Sequence, residues 1–274
     1  MPMSPRERSR PLVQRGRLAA ALFAFSAPAS AVVPSHDIGV AYEAEGDRVS
    51  YREEHWLFDE GAVRRRLVLY RCPGGAPFAR KELRFDGAPW APGLAFEDAR
   101  DGYRHSVSMT GTRLRVAVRR GSVEEDRTVL LDATPDTVVD AGFDDYIREH
   151  WDAVNRAEGV RVRFVMADRQ KAFDVSVKPS GPASPGDRVR HFRLRLDGWL
   201  GLVAPAIELS YTVADRRLSE FAGISDIRDE RGRSQKVRIR FEAPNRLPAD
   251  FRDEIARVRS LPLASSCDGG TRRP

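Results

Sequence analysis

The sequence predicts a mainly β protein: a large antiparallel sheet curled into an open barrel, with one central amphipathic helix and a short second helix near the C-terminus. A β-sandwich is the alternative. Three observations carry this expectation. Apolar and charged residues alternate through segment after segment, turn-forming residues separate those segments, and one mid-chain stretch switches to helical spacing.

The alternation is clearest where Leu114, Val116 and Val118 interleave with Arg113, Arg115 and Arg119. It recurs with Phe192, Leu194 and Leu196 against Arg193 and Arg195, with Val237, Ile239 and Phe241 against Arg238 and Arg240, and with Val160, Val162 and Phe164. A period of two with one polar face describes half-buried antiparallel strands. Residues 49–58, 65–70, 79–85, 103–109, 128–131, 172–178, 207–213 and 217–223 read as further strands. Turn chemistry at 45–47, 59–61, 110–111, 120–121, 214–215 and 231–232 links them into a meander of about a dozen. An open sheet of that size exposes two edges and two faces, so it must curl or pair with a second sheet.

Helical spacing appears over residues 141–157, where Phe143, Ile147, Trp151 and Val154 recur every three or four positions. Asp144 and Asp145 fall in the first turn and Gly159 follows the end. On this helix Asp145 and Glu149 are expected to share a solvated face. A weaker stripe of Phe251, Ile255 and Val258 marks a helix over 248–259. Residues 87–93 and 179–187 are connections rich in Pro and Gly, and residues 263–274 are expected to form a disordered tail.

Residues 1–31 read as a cleaved secretory signal. Arg6, Arg8, Arg10, Arg15 and Arg17 precede a short apolar run over 18–25, and Ala29, Ser30 and Ala31 are the small residues a signal peptidase accepts. The expected mature chain starts at Val32, is periplasmic, and forms a single β domain over 32–262. The leader also distorts the net charge. The whole chain carries 46 Lys and Arg against 40 Asp and Glu; removing the leader's five Arg and one Glu leaves 41 against 39. Near neutrality argues against a nucleic-acid partner, which needs a clustered positive excess. Lys occurs only at positions 81, 171, 178 and 236, so the cations are overwhelmingly Arg. Rows of Arg on one strand face suit anion contacts, but solvated charges balanced by nearby acids are the plainer reading.

Two cysteines, Cys72 and Cys267, permit one intramolecular disulfide in an oxidising compartment; two free thiols or an intermolecular bridge are the other outcomes. No metal site is expected, since neither Cys has a second ligand at metal spacing. His stands beside Glu in "EEHW" (53–56) and "REHW" (148–151), without the convergence that metal or acid-base chemistry needs. No nucleophile elbow, zinc-protease motif, phosphate loop or dinucleotide fingerprint is present. No catalytic residue and no cofactor are assigned, and the balance is against an enzyme.

The least polar run of the mature chain is "LDGWLGLVAPAIELS", 196–210. It reads either as core packing at a crossover or as the rim of an apolar cavity, with Trp199, Leu200, Leu202 and Val203, together with Trp151 from the helix, as candidate ligand-binding residues.

The segments "LVLYRCPGGAPFARKEL", "AGFDDYIREHWDAV" and "FAGISDIRDERGRSQKVRIRFEAP" resemble an uncharacterised family of exported proteobacterial proteins. The last is also similar, more loosely, to the closing strands of periplasmic lipoprotein-carrier proteins. That resemblance implies an open β-barrel holding acyl chains and transfers no functional residue. The leading expectation is therefore an exported, non-enzymatic protein, peripheral to the cell envelope, that binds a lipid or other apolar small molecule. A cell-envelope structural or interaction protein without a cavity is the alternative, and an unrecognised hydrolase built on paired carboxylates the second.

Overall fold

The computed structural model describes Met1, residues 32–199, Gly201, residues 204–229 and residues 232–267. The chain divides into two units, 1–31 and 32–274, and every strand and helix named below belongs to the second. The expected signal lies outside the described residues, Met1 apart.

The strands are β1 (Ser35–Glu43), β2 (Val49–Glu60), β3 (Val63–Arg71), β4 (Pro77–Phe85), β5 (Gly93–Asp98), β6 (Tyr103–Thr110), β7 (Arg113–Arg119), β8 (Arg127–Asp132), β9 (Thr137–Val139), β10 (Val160–Met166), β11 (Lys171–Pro179), β12 (Val189–Leu196), β13 (Ile207–Thr212), β14 (Leu218–Arg228), β15 (Ser234–Phe241) and β16 (Asn245–Arg246). Helices α1 (Gly142–Glu149) and α2 (Trp151–Val154) lie between β9 and β10, and α3 (Phe251–Ser260) follows β16. All the strands belong to one sheet in the order β8 through β1, then β15 down to β9, with β16 beside β1.

That order explains the curl. The outermost strands, β8 and β9, are consecutive in the chain and joined by residues 133–136 alone. So short a link spans at most about 18 Å, which brings the two edges of the sheet near each other without closing the ladder. Side chains cross the seam: Gln170 Nε2 donates to Arg127 O at 2.7 Å, and an Arg120 guanidinium nitrogen donates to Asp168 O at 2.7 Å. Trp90, from the loop before β5, donates its ring N–H to Pro135 O at 2.9 Å, and its carbonyl accepts from Val139 N at 2.9 Å.

Three apolar clusters fill the molecule. The inward faces of β1–β7 and β14–β15 form the first, including Tyr51, Phe78, Leu83 and Val116. Helices α1 and α2 pack Tyr146, Ile147 and Val154 onto Val162, Val175, Phe192 and Tyr211 to form the second. On the outward face of β2 and β3, Trp56, Phe58, Leu67 and Leu69 receive Phe251, Ile255 and Val258 of α3, so this part of the sheet is buried on both sides.

Several sequence expectations need correction. The predicted helix 141–157 is two shorter helices broken at His150 (φ −99°, ψ 27°). Its acidic face is solvated only in part: Glu149 is exposed, but inward-facing Arg64 and Arg66 of β3 hold Asp145 at 3.1 Å and Asp144 at 3.9 Å. Residues 263–267, placed in the disordered tail, are pinned: Ala264 N donates to Pro77 O at 2.7 Å, and Cys267 is bonded to Cys72 with Cα atoms 5.3 Å apart. The remaining tail, 268–274, lies outside the described residues.

Candidate functional site

The inward faces carry one polar constellation. Register places Val68, Lys81, Phe96 and His105 side by side across β3, β4, β5 and β6. Lys81 is buried, its side chain 8% exposed, and its Nζ donates at 2.8 Å to both Asp140 and Asp226. Asp140 reaches in from the β9–α1 junction with φ at 48°, in the left-handed region that Asp tolerates better than most residues. Asp226 arrives from β14 by a different device. Ser225 bonds the inward Tyr51 hydroxyl at 2.7 Å while the adjacent Asp226 reaches inward Lys81. Neighbours in a regular strand face opposite sides, and the register break between Ile224 and Arg228 lets both turn in.

The electrostatics follow from burial and pairing. Burial opposes charge on Lys81, but the two carboxylates outweigh it and hold the ammonium well above the ordinary lysine value. Burial pushes Asp140 up to about 6, against the pull of Lys81 and with the help of Asp226. For Asp226 burial also raises, yet Lys81, the Asp140 carboxyl and His105 together hold it below the usual carboxylate range. This fits its position at the mouth of the cluster, 46% exposed. His105 stacks on Phe96 at 4.9 Å and burial lowers it to about 4, so it is neutral at pH 7. Lys81, Asp140 and Asp226 line neither of the two open cavities described below. The cluster therefore works as a latch between β4, β14 and the β9–α1 junction.

The outward face of the same strands is open. Arg80, Glu97, Arg104 and Arg119 stand directly opposite one another across β4, β5, β6 and β7, forming a charged ladder. One row further, Glu82, Ala95, Ser106, Ala117 and Thr128 oppose one another through β8. Small side chains in the second row leave a trough of about 510 Å³ with the ladder as its wall and Arg259 of α3 at one end. A second open cavity of about 380 Å³ lies beside Glu158, Arg161, Lys178 and Asp197. Both are walled largely by charged side chains.

The sequence-predicted apolar site falls mostly outside the described residues. Trp199 is 73% exposed, while Leu200, Leu202 and Val203 are among the residues not described. Trp151 is a packing residue, its ring 5.4 Å from Phe192 and 5.9 Å from Tyr211 with the Arg216 guanidinium 5.5 Å above it. Among the described residues the two tryptophans make no ring contact with each other. Both His–Glu motifs are structural: His55 pairs with Glu53 at 2.9 Å, and His150 stacks on Tyr146 at 4.2 Å. Among the described residues no group of three or more His, Cys, Asp or Glu is arranged for a metal. Sequence reasoning missed the latch and the trough. Lone Lys81 in an Arg-dominated chain was the available signal for the first, and the small residues Ala95, Ser106 and Ala117 among charged neighbours for the second.

No family model matches the chain, and no curated protein matches it.

Proposed function

We propose that this is an exported, non-enzymatic cell-envelope protein that binds a hydrophilic, anionic partner through the outward trough. The carrying observation is the contrast between the two faces of β4–β7. Inward, the space is occupied by side chains and the ionic latch; outward, an Arg-rich wall flanks a floor of small residues. Arg forks suit phosphate and carboxylate groups. Export is supported by the basic, apolar and small-residue pattern of the first 31 residues. The bond between Cys72 and Cys267 suits an oxidising compartment.

A second reading, binding of a lipid or other apolar ligand, is favoured by one observation: Trp199, at the head of the least polar run, is mostly exposed. A photo-crosslinking amino acid placed at Thr128, exposed beside the trough floor and opposite Ala117, in one variant and at Trp199 in another separates the two in living cells. The trough reading expects a defined adduct with an anionic partner at Thr128. A lipid adduct at Trp199 with none at Thr128 would reverse the choice.

A further inference from the structure

Arg104 on β6 stands directly opposite Arg119 on β7. Directly opposed side chains have Cβ atoms about 5 Å apart, and like charges there destabilise a sheet. Neighbouring acids relieve this only in part. Glu97 is 3.6 Å from Arg104 and already bound to Arg80 at 3.1 Å, while Asp126 engages the Nε of Arg119 at 2.9 Å. Among the described residues the Arg104 guanidinium makes no hydrogen bond, only the 3.6 Å ion pair with Glu97, and the side chain is 59% exposed. Around the trough four Arg face three carboxylates.

We propose that Arg104 and Arg119 form an anion subsite for a phosphate group, with whatever carries that phosphate lying along the floor of Ala95, Ser106 and Ala117. This rests on the trough being the working surface. Arg104, held only by its 3.6 Å ion pair to Glu97, and Arg119 through its terminal nitrogens can both donate, so one tetrahedral dianion can accept from both guanidinium groups and remove their mutual repulsion. Asp126 orients Arg119 from behind by holding Nε. The floor matters as much as the charge, since larger side chains at Ala95 or Ala117 would occupy the space in which the remainder of the ligand must lie.

The test is a titration of the purified intact chain, in chloride buffer at pH 8, with inorganic phosphate and separately with glucose 6-phosphate, following the Arg Nε–H resonances by NMR. Saturable shifts of Arg104 and Arg119 are expected. Arg104→Gln should weaken binding at least tenfold, abolish the Arg119 shift and leave the melting temperature unchanged or raised. Equal affinity for the two probes assigns the site to free phosphate; tighter binding of the ester assigns it to phosphate on a hydrophilic carrier. Shifts that stay linear with concentration and are matched by added chloride would overturn the subsite, as would an Arg119 shift that survives Arg104→Gln. Saturable phosphate binding without any adduct at Thr128 would strike the partner reading alone.

Discussion

Replacing Lys81 by Met tests the latch. The substitution keeps an unbranched apolar stem one heavy atom shorter and removes the charge, leaving Asp140 and Asp226 to face each other without the cation that each now meets at 2.8 Å. Removing one partner of a buried ion pair costs about 3–5 kcal/mol, a large fraction of the stability of most domains. Asp226 is 46% exposed and can hydrate, so the penalty falls chiefly on Asp140, which is 11% exposed. The groups facing Lys81 set the pH dependence. Asp140 already titrates near 6, above its unfolded value, so its ionisation works against folding and that loss grows as pH rises through 6. Without Lys81 its pKa climbs further, and protonation by pH 5 relieves the variant. Urea denaturation should therefore show a deficit of about 3–5 kcal/mol at pH 8 that shrinks by at least about 1 kcal/mol at pH 5. Adding Asp140→Asn to Lys81→Met should recover part of the pH 8 deficit. A deficit below about 1 kcal/mol at pH 8, or one equal at both pH values, would refute the latch as a source of stability.

Three further outcomes are expected. His105 stays neutral to about pH 4 in the fold but takes up a proton near 6.5 when unfolded, so its share of stability, about 3 kcal/mol, is lost as pH falls through that window; His105→Phe should gain on the wild type between pH 7 and 4.5, and parallel pH curves would contradict this. Gly142→Ala would drive a methyl group into the carbonyl of Trp90, so a loss of about 3 kcal/mol is expected in thermal melts, against near neutrality if the 87–93 loop can move away. Reducing the Cys72–Cys267 bond, or replacing both residues by Ser, frees a loop closed over 195 residues and should lower stability by about 2–5 kcal/mol, with an unchanged urea midpoint as the contrary result.

Period-two alternation is a local property, since each side chain's face depends only on its neighbours in the chain. That is why, with the turn signals, it locates β2, β3, β4, β6, β7, β8 and β10–β15. It fails at β1 because the residues buried there, Gly39 and Ala41, are the small ones. Ile38, Val40 and Tyr42 are not buried in that strand, and the Phe241 ring covers Gly39. It fails at β5 because Pro and Gly precede the strand, and at β9 because three residues carry no period. The cysteine count likewise leaves Cys72 with Cys267 as the one possible intramolecular pair.

Beyond the reach of the sequence is everything that depends on which distant segments meet. Lys81 finds Asp140 and Asp226 at separations of 59 and 145 residues, and nothing near Lys81 in the chain announces either. The trough depends on register across four strands: a shift of one residue in any pairing would turn Ala95, Ser106 or Ala117 inward and dissolve it. Register and strand order are set by the summed packing of both faces and by the short link that draws β8 and β9 together. The sequence by itself determined the kind of strand and the chemistry each one carries; the tertiary structure alone decided which of those strands stand side by side, because that choice minimises the free energy of the whole sheet and of no single segment.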